Sequence, residues 1–108
     1  MSEDVIPVDS YDFDDRIGDG IVMVFFCEHE NVQSRGLEMI IDEIASQYFD
    51  CIRVLSLDVE QSPDIAIHYA IDTVPSVLFF KDGRISEKIE GANPPSVYTD
   101  IIEALAFM

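Results

Sequence analysis

The chain has 108 residues, the size of one compact domain, and 48% of them are apolar, enough to build a proper core. Six Lys and Arg stand against 22 Asp and Glu, a formal charge of −16, whose field repels phosphate backbones and anionic lipid headgroups and so argues against nucleic acid or membrane as a partner. No apolar run approaches the roughly 20 residues that span a bilayer, and Met1-Ser2-Glu3-Asp4 lacks the basic start of a secretory signal. A soluble intracellular protein, cytoplasmic or also nuclear, is expected.

The acids read as a solvated coat that keeps the domain soluble, with a dedicated docking face for a basic partner as the alternative. They are densest from Asp9 to Asp19. Two cysteines, Cys27 and Cys51, are too few for a disulfide scaffold and lack Cys-x-x-Cys spacing. Reduced, buried thiols packing as small hydrophobes beside apolar strands are expected.

In chain order, Val5 to Val8 is a short apolar run whose Pro7 suits an edge strand. Asp9-Ser10 offers a cap for a brief helix, Tyr11 to Ile17, which Gly18 and Gly20 end. Ile21 to Phe26 is apolar throughout, the pattern of a central strand covered on both faces. Asn31 can cap the long helix that follows, in which Leu37, Ile40, Ile41, Ile44 and Tyr48 form one apolar stripe. Gly36 in its second turn weakens it or permits a close contact or bend.

Ile52 to Val59 reads as a buried strand, and Ser62-Pro63 opens a short helix to Ala70. Val77 to Phe80, the turn Lys81-Asp82-Gly83-Arg84 and Ile85 to Glu90 make an antiparallel hairpin that Gly91 ends. Asn93-Pro94-Pro95-Ser96 opens the last helix, with Val97, Ile101, Ile102 and Leu105 at helical spacing. The order β-α-β-α-β-α-β-β-α implies a mixed sheet with helices on both faces, an α/β fold.

That order, with Asp42-Glu43-Ile44-Ala45, Leu57-Asp58-Val59, Thr73-Val74-Pro75-Ser76-Val77-Leu78-Phe79-Phe80-Lys81-Asp82-Gly83 and then Gly91, resembles the thioredoxin fold over nearly the whole chain, as a single domain spanning 1–108. The resemblance implies a cis bond at Val74-Pro75, although only about one X-Pro bond in twenty is cis. It places Asn31-Val32-Gln33-Ser34 where thioredoxins carry Cys-Gly-Pro-Cys, Glu30 at the preceding tryptophan, and Phe25 at the buried aspartate that relays protons. A closer likeness is to the N-terminal thioredoxin-like domain of PICOT-type monothiol glutaredoxins, carried by Leu55-Ser56-Leu57-Asp58 and Glu90-Gly91-Ala92-Asn93-Pro94. The iron–sulfur site of that family lies in a separate glutaredoxin domain, so no cluster ligand is carried over.

Dithiol exchange needs a thiolate to attack a disulfide sulfur. The resemblance therefore implies a redox-inert domain with no catalytic residue, acting as a protein-binding adaptor in cytosolic iron and redox homeostasis. Its partner would be a protein segment, added as a strand in the groove formed by Glu30, Thr73, Val74, Pro75 and Ser76. No cofactor is expected, and the chain is read as a monomer or weak dimer. The rivals are a single-thiol oxidoreductase using Cys27 and a structural subunit of a larger assembly.

Individual residues have plainer readings beside these. Ser34 reads as a first-turn serine bonded to backbone before it reads as a nucleophile. Cys27-x-His29, with Glu28 and Glu30, has zinc-compatible side chains but no second distant pair, so no metal site is expected. The same two glutamates are expected to raise the Cys27 pKa and blunt its reactivity. His68, beside Tyr69, reads as a surface or half-buried residue.

Overall fold

A computed structural model describes residues 3–107; Met1 and Ser2 of the N-terminal start, and Met108, lie outside the described residues. Its elements are β1 (Val5–Pro7), α1 (Phe13–Ile17), β2 (Ile21–Cys27), α2 (Val32–Gln47), β3 (Arg53–Asp58), α3 (Pro63–His68), β4 (Ser76–Lys81), β5 (Arg84–Glu90) and α4 (Pro95–Ala106). The five strands lie in the order β1-β3-β2-β4-β5. β1, β3 and β2 are mutually parallel, while β4 runs antiparallel to both β2 and β5.

Continuous apolarity in β2 follows from its central place. Met23 and Phe25 point into one core with Leu37, Ile41 and Ile44 of α2 and Tyr98 and Ile102 of α4. Val22, Val24 and Phe26 point into the other, with Phe13 and Ile17 of α1 and Ala66 of α3. Successive side chains alternate across a strand, so a strand sandwiched between helix layers must be apolar at every position.

Turn chemistry closes the hairpin. Asp82 at φ 51° and Gly83 at φ 84° make the two-residue loop with both residues left-handed that matches the twist of paired strands. Asp82 is also bound in both directions to Gly20, its N–H donating to the Gly20 carbonyl at 2.9 Å and its carboxylate accepting from the Gly20 N–H at 3.0 Å.

Several local expectations shift. Asp9 does not cap α1: its carboxylate accepts from the N–H of Tyr11 and Asp12, making a turn, so the helix starts at Phe13, two residues after the expected Tyr11, with Asp12 in the N-cap position but making no side-chain cap bond. α3 stops at His68, and Ala70 turns left-handed at φ 55° instead of extending the helix. α4 begins at Pro95, because the Asn93 side chain is occupied by the Glu90 and Gly91 carbonyls. Gly36 makes no close contact, since a Cβ there would meet nothing within 4 Å. Cys51 is exposed rather than buried, beyond the end of α2 and outside both cores. Among the described residues no helix is long and apolar enough to cross a membrane.

Candidate functional site

At one end of the sheet the turn from β2 into α2 meets the loop entering β4. Phe26 pairs with Ser76, the last pair of that ladder, so the β2–β4 pairing ends just before Cys27 on one strand and just after Pro75 on the other. The Val74-Pro75 bond is cis. Asn31 joins the two segments: its Oδ1 accepts from the Ser34 N–H at 2.8 Å, capping α2, and its Nδ2 points to the Val74 carbonyl at 3.5 Å. The Pro75 carbonyl accepts from the Gly91 N–H at 2.8 Å, and the Ser76 hydroxyl donates to the Thr73 carbonyl at 2.6 Å, which fixes the loop from both sides.

The turn residues divide by exposure. Glu30, Val32 and Gln33 face solvent, and Val32 is 74% exposed despite being apolar. Ser34 is buried, with its hydroxyl accepting from the Glu28 N–H at 3.3 Å. A serine so engaged knits the turn together; no imidazole is bonded to it. Across the gap, Thr73 is exposed, Val74 half-buried, and Pro75 and Ser76 buried. Phe25, 1% exposed, belongs to the α2-side core.

Cys27 is the thiol of this end. It is half-buried, packs against the same core as Phe25, and its Sγ donates to the Leu57 carbonyl at 3.6 Å. It lines an open pocket of about 220 Å³ on the β1–β3 side of β2, together with Pro7, Ser34, Arg35, Glu38, Ser56 and Asp58, and none of Thr73–Ser76 is in that lining. Burial, then the charges of Asp58 and Glu38, push its pKa up to about 11. The upward direction is the expected one, but the carboxylates responsible are not Glu28 and Glu30. Asp58 is the register partner of Cys27 on β3, and Glu38 lies one turn beyond Ser34 on α2. Parallel pairing of β2 with β3 would have identified Asp58, had the register been readable from the sequence.

Among the described residues no group of three or more His, Cys, Asp or Glu is arranged to hold a metal ion. His68 is exposed and stacks edge-on against Tyr69 at 4.7 Å between ring centroids, remote from Cys27 in sequence and on the opposite side of the sheet.

Comparison with known proteins places this geometry. Thioredoxin M-type from the chloroplast of Spinacia oleracea is 47% identical over 64 residues, covering 59% of this chain and 35% of that protein. Thioredoxin M3 from the chloroplast of Oryza sativa subsp. japonica is 41% identical over 69 residues, covering 64% and 39%. The match thus spans little more than a third of those two proteins. Thioredoxin from Staphylococcus aureus is 25% identical over 99 residues, covering 92% of this chain and 95% of that one. Among solved structures, a mutant thioredoxin from Halobacterium salinarum superposes with a TM-score of 0.88 at 24% identity, covering 98% of this chain and 95% of that one, a likeness of fold.

These relatives correct the functional expectation. They are named thioredoxins and not adaptor domains, and this chain retains a thiol, Cys27, at the end of β2, so the redox-inert adaptor reading is set aside. The five-stranded mixed sheet with helices on both faces is the thioredoxin fold. Since the thioredoxin family model matches residues 4–104, nearly all of that architecture, the chain belongs to the thioredoxin family.

Proposed function

We propose that the chain carries out thiol–disulfide exchange on protein substrates through one thiol, Cys27, reached through the pocket it lines beside the first turn of α2. The observation that carries this is the position of Cys27 at the end of β2, half-buried and lining an open pocket with Ser34 and Arg35 of the first turn of α2. In the reaction the Cys27 thiolate attacks one sulfur of a substrate disulfide. A mixed disulfide forms, and the substrate's other sulfur leaves as a thiolate and takes up a proton. A second thiol from outside the chain, a low-molecular-weight thiol or a partner protein's cysteine, then attacks the mixed disulfide at the substrate sulfur or at Cys27. Cys51 does not serve, because it lies past the C-terminal end of α2, at the opposite end of the sheet.

With its pKa pushed up to about 11, Cys27 is almost wholly protonated at pH 7, so exchange is slow there and quickens as pH rises. Incubation with a peptide disulfide at pH 7 and pH 9, followed by mass spectrometry, tests the proposal. A mixed disulfide mapping to Cys27, more abundant at pH 9 and abolished in Cys27→Ser, is the expected result. Modification confined to Cys51 would overturn it.

A finer kinship, with the thioredoxin-like domain of PICOT-type monothiol glutaredoxins, is proposed as ancestry only. Leu55-Ser56-Leu57-Asp58 and Glu90-Gly91-Ala92-Asn93-Pro94 support it, as would a cytoplasmic or nuclear location. A Cys-Gly-Phe-Ser motif downstream in the same reading frame is its test.

A further inference from the structure

The cavity beside Cys27 has a floor of sheet and a wall of helix. Pro7, Ser56 and Phe25 stand in register across β1, β3 and β2, and two residues further along, on the same face, Asp58 stands beside Cys27. Ser34, Arg35 and Glu38 of α2 close the other side. Ser56 has no packing role that a valine would not fill better. It is only 5% exposed, its hydroxyl makes no hydrogen bond among the described residues, and what remains open of it faces this cavity. A hydroxyl so enclosed needs a polar partner from the cavity itself.

The charges around the cavity are unequal. Glu28, Glu38 and Asp58 line it against Arg35 and the imidazole of His29. Asp58 gives one oxygen to the Glu60 N–H at 2.8 Å and keeps the other, and half-buried Glu38 makes no side-chain hydrogen bond among the described residues. At about 220 Å³ the space falls below the roughly 300–1,000 Å³ of pockets for drug-sized ligands, so it suits a molecule of a few heavy atoms. Against two carboxylates, a hydroxyl and a thiol, the matching groups are an ammonium and a sulfur on one short chain.

Resting on the exchange reading above, we propose that this cavity binds the second thiol of that exchange, a small aminothiol whose ammonium lies against Asp58 and Glu38 and whose further polar contact is the Ser56 hydroxyl. In the resolving step its thiolate attacks Cys27 Sγ in the mixed disulfide. The substrate sulfur leaves as a thiolate and takes up a proton, and the aminothiol stays on Cys27. A second aminothiol thiolate then attacks the sulfur of the first, which frees Cys27 as a thiolate and releases the symmetric aminothiol disulfide; the substrate disulfide is reduced and two aminothiols are oxidised. The bound ammonium offsets the two carboxylate charges that keep Cys27 protonated, and an acidic thiol is turned away by the same carboxylates.

Three small disulfides run the last step backward on the full chain at pH 8: cystamine with two ammonium groups, hydroxyethyl disulfide with no charge and dithiodiglycolate with two carboxylates. Mass spectrometry follows the adducts at each cysteine. Cys27 is expected to react about tenfold faster with cystamine than with hydroxyethyl disulfide and slowest with dithiodiglycolate, while exposed Cys51, in the field of the same net charge, discriminates within about threefold. Asp58→Asn/Glu38→Gln should lower the Cys27 ratio to that of Cys51, and Ser56→Val, which fills the cavity floor, should slow cystamine at Cys27 alone. Equal ratios at the two thiols of the parent chain, or a Cys27 ratio untouched by the double variant, overturns the proposal, the first by revealing attraction to net charge only. Cadaverine titrated into Cys27→Ser and followed by amide chemical shifts reads the cavity without the sulfur chemistry. Saturating shifts centred on Ser34, Ser56 and Asp58, with no Cys27 adduct in the parent chain, keep the site and remove the exchange; Cys27 adducts with all three disulfides alike, and shifts spread over the acidic surface, remove the site only.

Discussion

The side chain of Asn31 serves two segments at once, its oxygen capping α2 at the Ser34 N–H and its nitrogen directed at the Val74 carbonyl across the groove. The two roles separate by substitution. Asn31→Ala removes both and is expected to cost about 1 kcal/mol, the usual worth of an N-cap. Asn31→Asp keeps the acceptor, now charged and favourable at a helix N-terminus, but loses the donor. Urea unfolding should therefore find Asn31→Asp more stable than Asn31→Ala; equal losses would mean that the cap contributes nothing.

Cys27 supplies a pH dependence with a definite sign. Its folded pKa, about 11, lies above the ordinary thiol value of 9.0, so the native state holds the proton more tightly than the unfolded chain does. The stabilisation is complete below about pH 9 and is lost as pH climbs toward 11. Unfolding curves at pH 8 and pH 10.5 should show a larger fall for the parent chain than for Cys27→Ser. Iodoacetamide alkylation of Cys27 should keep climbing through pH 10; a plateau near pH 8 would contradict the half-buried, acid-flanked thiol.

Gly36 lies on the exposed face of α2 with open space where a Cβ would go. Gly36→Ala should stabilise the protein by about 0.5–1 kcal/mol, because alanine loses less backbone freedom in a helix and meets no neighbour. A higher urea midpoint with an unchanged slope is the expected reading. A lower midpoint would point to a bend at this position that needs glycine.

A charge of −16 on 108 residues pushes the folded chain apart, and salt screens the repulsion. Melting temperature should rise steadily as sodium chloride increases from low concentration. A melting temperature insensitive to salt would show that the acids are too dispersed to repel.

The order of elements was legible because each carries its own period. Ile21 to Phe26, apolar at every position, became the central strand, and the stripe from Leu37 to Ile44 became the core face of α2. Helix ends were less legible where a polar side chain had a second use. Asp9 made a turn, Asp12 turned its carboxylate back to the Asp9 N–H, and Asn93 bonded backward to Glu90 and Gly91. Cys51, judged by the apolar strand that follows it, proved exposed because it belongs to the turn before that strand.

Sequence alone determined the fold class and the sheet's central strand, since hydrophobic periodicity is written into consecutive residues. Tertiary structure alone decided the character of the site. Asp58 and Glu38, 31 and 11 residues from Cys27, reach its sulfur's surroundings only through the β2–β3 register and the first turns of α2. Electrostatic effects depend on distance in space, and only the folded chain sets those distances.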